Sequence, residues 1–289
     1  MLQYVRKALT EVEAEVQSRS LAGVLPALRR RLGLDDFGEL MISMPMPDFP
    51  GLSQALPRMA SVAVQNNWTG SNGLTLLRQS TNFVRSAAFS YTSLTGRTLT
   101  RASMLDYGCG YGRLARLMYY FTDPENLHGV DPWDRSIAIC QDDGLGENFR
   151  QSEYLPDSLP VPRTNFDFIY AFSVFTHLSP RATKAALDVC RRYISDDGVM
   201  LITIRPVEYW DLDQSVHELS DTSQVRLAHE RDGFAFSPLN LPPVDGDLTY
   251  GNTSMTTDWI EAHFPRWRVA MVDRSLDDAY QVYVALRPR

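Results

Sequence analysis

Three glycines on alternate positions constrain the fold of this 289-residue chain more than any other feature. The apolar run Ser103–Asp106 just before them predicts a β-strand that ends in an acid. Gly108, Gly110 and Gly112 follow, and then a helical run begins. Glycine lets the backbone turn tightly and lets a ligand approach where a Cβ would block it. The stretch therefore predicts the strand, turn and helix that make half of a nucleotide-binding βαβ unit.

A second acid stands at the spacing that nucleotide-binding folds use. Leu127–Asp131 predicts a second strand, and Asp131 lies 21 residues after Gly110. In such folds an acid about 20 residues after the glycines accepts hydrogen bonds from ribose hydroxyls. No Gly-Lys-Ser/Thr follows the glycines, so the phosphate-binding loop of P-loop NTPases is not indicated.

Strand-like and helical runs alternate through the rest of the chain. Further strands are predicted near 148–154, 165–174, 199–204, 267–272 and 281–286, and helices over 74–91, after Ser136, and over 180–194. Ser195–Gly198 predicts a turn between a helix and a strand. This alternation predicts an α/β fold, a doubly wound and mostly parallel sheet with helices on both faces.

Two segments do not follow the alternation. Apolar residues at helical spacing predict a helical hairpin over 1–33, and four prolines predict a linker or extended arm over 34–60. Residues 205–255 are polar and rich in loop-forming residues, and we expect them to form a cap over the ligand crevice. The expected domains are thus a 1–60 extension and a catalytic domain over 61–289.

Composition limits the compartment and the partners. The net charge is −7, and an acidic chain without a long basic cluster is a poor candidate for binding nucleic acid. No stretch approaches the 18 apolar residues of a membrane span, and the first residues lack the apolar core of a signal peptide. Three cysteines without metal-ligand spacing predict a reduced, cytoplasmic protein with no metal site.

The two acids and the glycines resemble the first motifs of the class I S-adenosylmethionine (SAM) methyltransferases. The resemblance covers about residues 60–289 and rests on Asp106-x-Gly-x-Gly-x-Gly, on Val-Asp131 and on the run Phe166–Leu178. It implies a seven-stranded, Rossmann-like sheet with an antiparallel C-terminal hairpin strand, and SAM as the cofactor. The last run is also similar to a bacterial group associated with small molecules and surface polysaccharides.

The resemblance implies a cofactor site at these motifs. Asp106 would hold the methionine ammonium group, and Asp131 would hold both ribose hydroxyls. The other residues expected at the cofactor are Gly108, Cys109, Gly110, Pro132, Trp133, Phe172, Ser173 and Trp68. The end of the third strand contributes an adenine contact in that family, and the candidates here are Ser152, Glu153 and Tyr154.

Two tryptophans in this set have a structural alternative. Trp133 either lies against adenine or packs its helix on the sheet. Trp68, in a predicted turn over Asn66–Gly73, either covers the cofactor or anchors its own loop.

Motifs that the chain lacks narrow the acceptor. The Asn/Asp-Pro-Pro-Tyr/Phe of amino methyltransferases is missing at Ser173, as is the acid of metal-dependent catechol-type enzymes. The resemblance therefore implies a metal-free O-, N- or C-methyl transfer to a small-molecule or glycosidic acceptor, with a hydroxyl as the expected acceptor group. Phe234 and Tyr250 either line the acceptor pocket or pack in the core.

Histidine is the candidate general base for a hydroxyl acceptor. His177 follows the fourth predicted strand, and histidine titrates near neutrality. His177 is accordingly expected at the acceptor, with shaping of the turn as its alternative role. His217 and His229 in the predicted cap are further candidates.

Other functions are compatible with the motifs. The chain would alternatively be a SAM-binding scaffold or regulatory module without catalysis, or, as a third hypothesis, a nicotinamide oxidoreductase. The N-terminal helices are a possible homodimer contact, and the expected partner is a small-molecule acceptor rather than nucleic acid or membrane.

Overall fold

The fold is built from buried apolar strands that alternate with helices. A computed structural model describes residues 3–15, 20–162, 164–212 and 222–289. The helices are α1 (Gln3–Glu15), α2 (Leu21–Arg31), α3 (Leu34–Ile42), α4 (Pro50–Ala55), α5 (Val62–Thr69), α6 (Gly73–Thr95), α7 (Arg113–Met118), α8 (Asp134–Asp142), α9 (Pro180–Tyr193), α10 (Ser223–Asp232) and α11 (Thr257–His263). The strands are β1 (Met104–Tyr107), β2 (Leu127–Asp131), β3 (Phe149–Gln151), β4 (Phe166–Ala171), β5 (Ile194–Ile204), β6 (Phe234–Pro238), β7 (Gly251–Met255), β8 (Trp267–Arg274) and β9 (Val282–Pro288). Short 3-10 helices span Pro124–Asn126 and Val207–Asp211.

Seven of the strands form one sheet in the order β3-β2-β1-β4-β5-β9-β8. The pairs β1–β2, β2–β3 and β4–β5 are parallel, whereas β9 is antiparallel to both β5 and β8. β6 and β7 form a separate antiparallel pair. The predicted α/β fold, with a mostly parallel seven-stranded sheet and antiparallel C-terminal strands, is confirmed.

Close contacts group the chain into two compact units. The first comprises Met1–Ala88 and Thr98–Gln151, and it contains β1, β2 and β3 with the glycine loop. The second comprises Phe89–Arg97 and Ser152–Arg289, and it contains β4 to β9. This grouping does not follow the expected boundary near residue 60, and the functional domain division stays a prediction.

The strands of the second unit show why β4 and β5 lie in the interior. All of β4 except Asp167 is buried, and all of β5 from Val199 onward is buried. A parallel strand covered on both faces needs such a continuous apolar run. The turn predicted at Ser195–Gly198 is wrong, because β5 already begins at Ile194. The pairing register shifts at this point, so the polar stretch is an irregularity within one strand.

The hairpin predicted over residues 1–33 is present as α1 and α2. The side chain of Ser20 caps α2 by accepting a hydrogen bond from the Gly23 amide. Val5, Leu9 and Val12, on the apolar face of α1, are buried within the chain itself. A homodimer through these helices stays a prediction, and it would have to use another face of them.

Residues 34–60 form helices, so the prediction of a linker or extended arm is wrong. α3 buries Phe37 and Leu40, and the Phe37 ring meets the Tyr120 ring edge-on at 5.5 Å between centroids. α4 begins at Pro50, where the fixed φ of proline suits the first helical position. The prolines therefore lie at helix starts and in connections, and the apolar residues between them decide the structure.

Two other segments are more regular than expected. Trp68 lies in α5, not in the turn predicted for Asn66–Gly73, and Gly70 ends that helix in the left-handed conformation. The polar segment 205–255 holds α10 and the β6–β7 pair in its described part. His217 lies outside the described residues.

The burial of α3 generates a stability test. We expect Phe37→Ala to lower the free energy of unfolding by about 3–5 kcal/mol, because a large buried ring leaves a cavity. Asp35→Ala, on the exposed side of the same helix, should cost about 1 kcal/mol or less. Urea denaturation of the two variants and the parent measures both values. Equal small losses would mean that α3 is not packed as described.

Candidate functional site

The first unit builds a tight loop between β1 and α7. Gly108, Gly110 and Gly112 have φ values of +75°, +53° and +75°, which side chains other than glycine rarely adopt. The amides of Gly108 and Cys109 both donate to the Val130 carbonyl, at 2.8 and 3.0 Å. These bonds hold the loop against the end of β2, beside the second acid of the sequence motif.

Asp131 joins this loop to the segment after β2. Its Oδ2 accepts the Gly110 amide at 2.9 Å, and its Oδ1 accepts the Trp133 amide at 2.9 Å. Burial raises the pKa of this carboxyl, while the hydrogen bonds from Trp133, Gly110 and Ser136 oppose that rise. A carboxylate has about four acceptor positions, so these three donors leave at least one of them open. The arrangement can therefore accept a further hydroxyl group.

The other predicted cofactor residues of the first unit lie around the same loop. Asp106 is buried at 2% exposure and pairs in register with Gly129 of β2. The Pro132 carbonyl accepts the side-chain amide of Gln151 at 3.1 Å. Burial, followed by contact with Cys140, raises the pKa of the Cys109 thiol, so this thiol stays protonated.

Trp68 covers the glycine loop. Its indole Cδ1 lies 3.4 Å from the position that a Cβ on Gly110 would take. Its indole N–H donates to the Ser136 hydroxyl at 3.1 Å, and its ring stacks on that of Trp133 with centroids 4.6 Å apart. Trp133 remains 45% exposed. Both expected roles of Trp68, cover and anchor, are thus compatible with one position.

In the second unit, the loop after β4 carries the next predicted residues. Phe172 is buried, and Ser173 has a φ of +57°, an uncommon conformation for a residue with a Cβ. The Ser173 amide donates to the Thr203 hydroxyl at 2.7 Å, and the Ser173 and Thr176 hydroxyls lie 3.2 Å apart. Strained positions of this kind cluster at functional sites, which keeps Ser173 a candidate.

His177 has hydrogen-bond partners at both ring nitrogens. Nδ1 lies 2.8 Å from the Gly251 carbonyl, which can only accept, so Nδ1 carries the proton. Nε2 lies 3.3 Å from Nη2 of Arg205, which can only donate, so Nε2 uses its lone pair there. Burial and then the Arg205 charge lower the pKa of His177 to about 3. This geometry disfavours His177 as a general base and favours a positioning role.

Arg205, Tyr209 and Asn252 form a network that the sequence analysis missed. Nη1 of Arg205 donates to the Thr176 carbonyl at 2.8 Å and to Oδ1 of Asn252 at 3.0 Å. The Tyr209 hydroxyl donates to the same Asn252 oxygen at 2.9 Å, and its ring lies 4.0 Å from the guanidinium carbon. The sequence gives one signal for this network, which is an arginine directly after the strand predicted over 199–204.

The acceptor candidates of the second unit fall into different surroundings. Tyr250 is 39% exposed, and its ring stacks on His177 at 4.9 Å between centroids, nearly parallel. Phe234 is buried and packs on Trp259 at 4.3 Å, as a core residue does. His229 is buried, with Nδ1 2.7 Å from the Ser254 hydroxyl, and burial lowers its pKa. Tyr250 is therefore the best placed of these side chains to meet a ligand.

The comparisons with known proteins place the chain in a family. Residues 81–238, more than half of the chain, match the family model of a methyltransferase domain. The chain belongs to this methyltransferase family. A SAM-dependent methyltransferase from Clostridium acetobutylicum has the same fold at 11% identity, with a TM-score of 0.52 over 78% of this chain and 96% of that one.

Two further solved structures align more loosely. A protein from Pyrococcus horikoshii is 14% identical over 72% of this chain and 91% of its own, with a TM-score of 0.48. Magnesium protoporphyrin IX methyltransferase from Synechocystis is 12% identical over 78% of this chain and 94% of its own, with a TM-score of 0.47.

The described residues hold neither a membrane-spanning helix nor a metal-binding cluster. They contain no helix long and apolar enough to cross a membrane. They also contain no group of three or more His, Cys, Asp or Glu side chains placed to hold a metal ion.

The lowered pKa of His177 predicts a pH dependence of stability. A histidine in the unfolded chain titrates near 6.5. Between that value and about 3 only the unfolded state binds the proton, so stability falls as pH falls through this window. One such group contributes about 1.4 kcal/mol per pH unit at most. His229, also with a lowered pKa, acts in the same direction.

The test uses His177→Asn, since an amide still offers a donor to the Gly251 carbonyl. We expect its free energy of unfolding to change less between pH 7 and pH 5 than that of the parent. The exposed His263→Asn serves as the control and should keep the parent slope. Urea titrations at three pH values measure the slopes. Equal slopes in all three proteins would contradict the neutral state of the half-buried His177.

Proposed function

We propose that this chain transfers a methyl group from SAM to a hydroxyl of a small-molecule or glycosidic acceptor. The observation that carries the proposal is Asp131, whose carboxylate bridges the Gly110 and Trp133 amides at the end of β2. Membership of the methyltransferase family supports transfer over a nicotinamide oxidoreductase. The non-catalytic scaffold remains the alternative that an assay must separate.

The residues of the first unit fit the chemical groups of SAM. Asp131 is proposed to accept from the ribose hydroxyls at the acceptor capacity that its bonds to Gly110, Trp133 and Ser136 leave open. The half-exposed Trp133 ring offers an aromatic face to adenine. Buried Asp106 supplies a negative charge for the methionine ammonium group. Gly108, Cys109, Gly110 and Pro132 complete the proposed cofactor set through their backbone.

The chain's own task in this reaction is to bind, align and exclude water. When bound, SAM would supply a methyl group on a positively charged sulfonium; its transfer to an acceptor hydroxyl would form a methyl ether and release S-adenosylhomocysteine and a proton to solvent. Holding the acceptor close and aligned accounts for a large part of the acceleration in such reactions. Phe172 and Ser173 are proposed to line the reacting end, and His177, Tyr250 and Phe234 are proposed on the acceptor side. The adenine contact among Ser152, Glu153 and Tyr154 stays a prediction.

The bacterial small-molecule or polysaccharide type of acceptor rests on the resemblance of the run Phe166–Leu178. The surroundings of His177 modify the mechanism that the resemblance suggested. Because Arg205 donates to Nε2, a hydroxyl proton has no free lone pair on this ring to move to. We propose that His177 positions the Gly251 carbonyl and the Tyr250 ring, rather than accepting the proton.

Removal of the Asp131 carboxylate tests the cofactor proposal. We expect Asp131→Ala to weaken binding of SAM about tenfold or more, because it removes the ribose acceptor and the tie to Gly110. Asp134→Ala, an exposed acid in the first turn of α8, is the matched control and should bind as the parent does. Isothermal titration calorimetry with SAM gives both constants. Parent affinity in Asp131→Ala would refute the site.

Catalysis is tested separately from binding. The purified protein is offered SAM and a library of hydroxylated acceptors, and S-adenosylhomocysteine is measured as the product. We expect turnover with at least one acceptor and none without acceptor. Tight SAM binding without turnover on any acceptor would favour the scaffold hypothesis.

The position of Trp68 predicts a spectroscopic signal. Because Trp68 lies over Gly110 and on Trp133, a ligand at the loop should change the surroundings of both indoles. We expect S-adenosylhomocysteine to change the tryptophan fluorescence of the parent, and Trp68→Phe to show a smaller change, because only Trp133 still reports the ligand. Trp259→Phe, an indole that packs on Phe234, should retain it. A full signal in Trp68→Phe would mean that Trp68 only anchors its own helix.

A further inference from the structure

Arg205 is a buried cation without a carboxylate ion pair among the described residues. It follows β5 directly, and only 9% of its surface is exposed. The side chains and carbonyls that it touches, Thr176, His177 and Asn252, are all neutral. Burying a charge is costly unless a partner of opposite charge or strong hydrogen bonds compensate it. The chain therefore maintains a positive charge here that its own described residues do not neutralise.

The hydrogen bonds of Arg205 use one part of the guanidinium group. Nη1 donates to the Thr176 carbonyl and to Asn252, and Nη2 donates once, to Nε2 of His177. A guanidinium has five N–H donors, so the Nε donor and the second Nη2 donor have no partner within the described chain. Nε and Nη2 share one edge of the planar group. That edge is the fork on which a carboxylate binds with two parallel hydrogen bonds.

The surroundings of this edge suit an organic anion. The Tyr209 ring lies against the guanidinium at 4.0 Å and holds its plane, and Tyr250, 39% exposed, stacks on His177 beside it. Asp278 acts on Arg205 only as a nearby charge and forms no ion pair with it in the described chain. Burial lowers the pKa of Arg205, which an approaching anion would reverse.

We propose that Arg205 binds a carboxylate group of the acceptor substrate, so that the acceptor is a hydroxylated carboxylic acid or uronic-acid-type sugar. This inference rests on the proposed methyltransferase function, since it names the class of acceptor. His177 is the positioning residue of the site: by accepting from Nη2, it orients the guanidinium edge. A single cation matches a carboxylate monoanion, whereas a phosphate dianion calls for further positive charge. Among the described residues, no other Arg or Lys forms a hydrogen bond with His177 or Asn252.

Arg205 also has a structural effect, because it joins the end of β5 to Thr176 and to β7. A purely structural arginine would make no distinction between charged and neutral ligands. The decisive measurement is therefore the preference of the unaltered protein for a carboxylate over its amide. This comparison needs no variant and does not depend on whether a variant folds.

In the experiment, the full chain is saturated with S-adenosylhomocysteine and titrated with two matched pairs of probes. The first pair is benzoate and benzamide, and the second is propionate and propionamide. Ligand-observed NMR gives the affinities. We expect each carboxylate to bind about tenfold or more tightly than its amide. Arg205→Lys, which keeps the charge but loses the fork, should reduce this preference severalfold with unchanged affinity for S-adenosylhomocysteine. Arg226→Lys, at a partly exposed arginine that pairs with Asp211, should keep both affinities.

Each outcome has a distinct meaning. Equal binding of acid and amide in both pairs overturns the inference, even when S-adenosylhomocysteine binds normally. Inorganic phosphate that competes more strongly than either carboxylate overturns the choice of carboxylate. Failure of S-adenosylhomocysteine to bind overturns the proposed function instead. A preference for carboxylate that persists in Arg205→Gln would assign the anion to another residue and also contradict the inference.

Discussion

The cofactor half of this protein depends on one carboxylate with two backbone donors. Asp131 accepts the Gly110 amide on one oxygen and the Trp133 amide on the other. The first bond fixes a glycine loop that has positive φ values, and the second fixes the start of α8. Both loops are therefore set by the group that is proposed to bind the ribose. Loss of that carboxylate would disturb the shape of the site and its chemistry together.

The second unit buries a set of polar groups in addition to its apolar strands β4 and β5. Every residue of β7 is buried, although Asn252, Thr253 and Ser254 are polar. Asn252 accepts from Arg205 and Tyr209, Thr253 donates to the Leu178 carbonyl, and Ser254 accepts from the Trp210 indole. Buried polar networks are stable only when their members are satisfied. The buried polar side chains of β7 are thus satisfied by partners from the loop after β4, from the end of β5 and from the 3-10 helix Val207–Asp211.

These two cases explain what could be predicted from sequence. The positions of the strands along the chain and the loop at Gly108–Gly112 depend on local spacing, so the sequence predicts them well. The sequence predicts an arm around Phe37 and a turn around Trp68. The nearby prolines in the first case, and polar residues in the second, obscure a short apolar pattern that is typical of a helix. The contact between Arg205 and Asn252 joins positions 47 residues apart, and no local period reports it. The polar residues of β7 are typical of a loop, because their hydrogen-bond partners are distant in the sequence.

The same hydrogen bonds distinguish base catalysis by His177 from anion binding by Arg205. A general base needs a lone pair directed at the substrate and a pKa near the working pH. His177 uses its lone pair on Arg205, and its pKa of about 3 keeps it neutral. A neutral imidazole that accepts a hydrogen bond from a guanidinium leaves the positive charge intact and fixes the orientation of the guanidinium group. The pairing is thus poorly suited to removing a proton and well suited to presenting a cation, which favours recognition of an anion over base catalysis at this position.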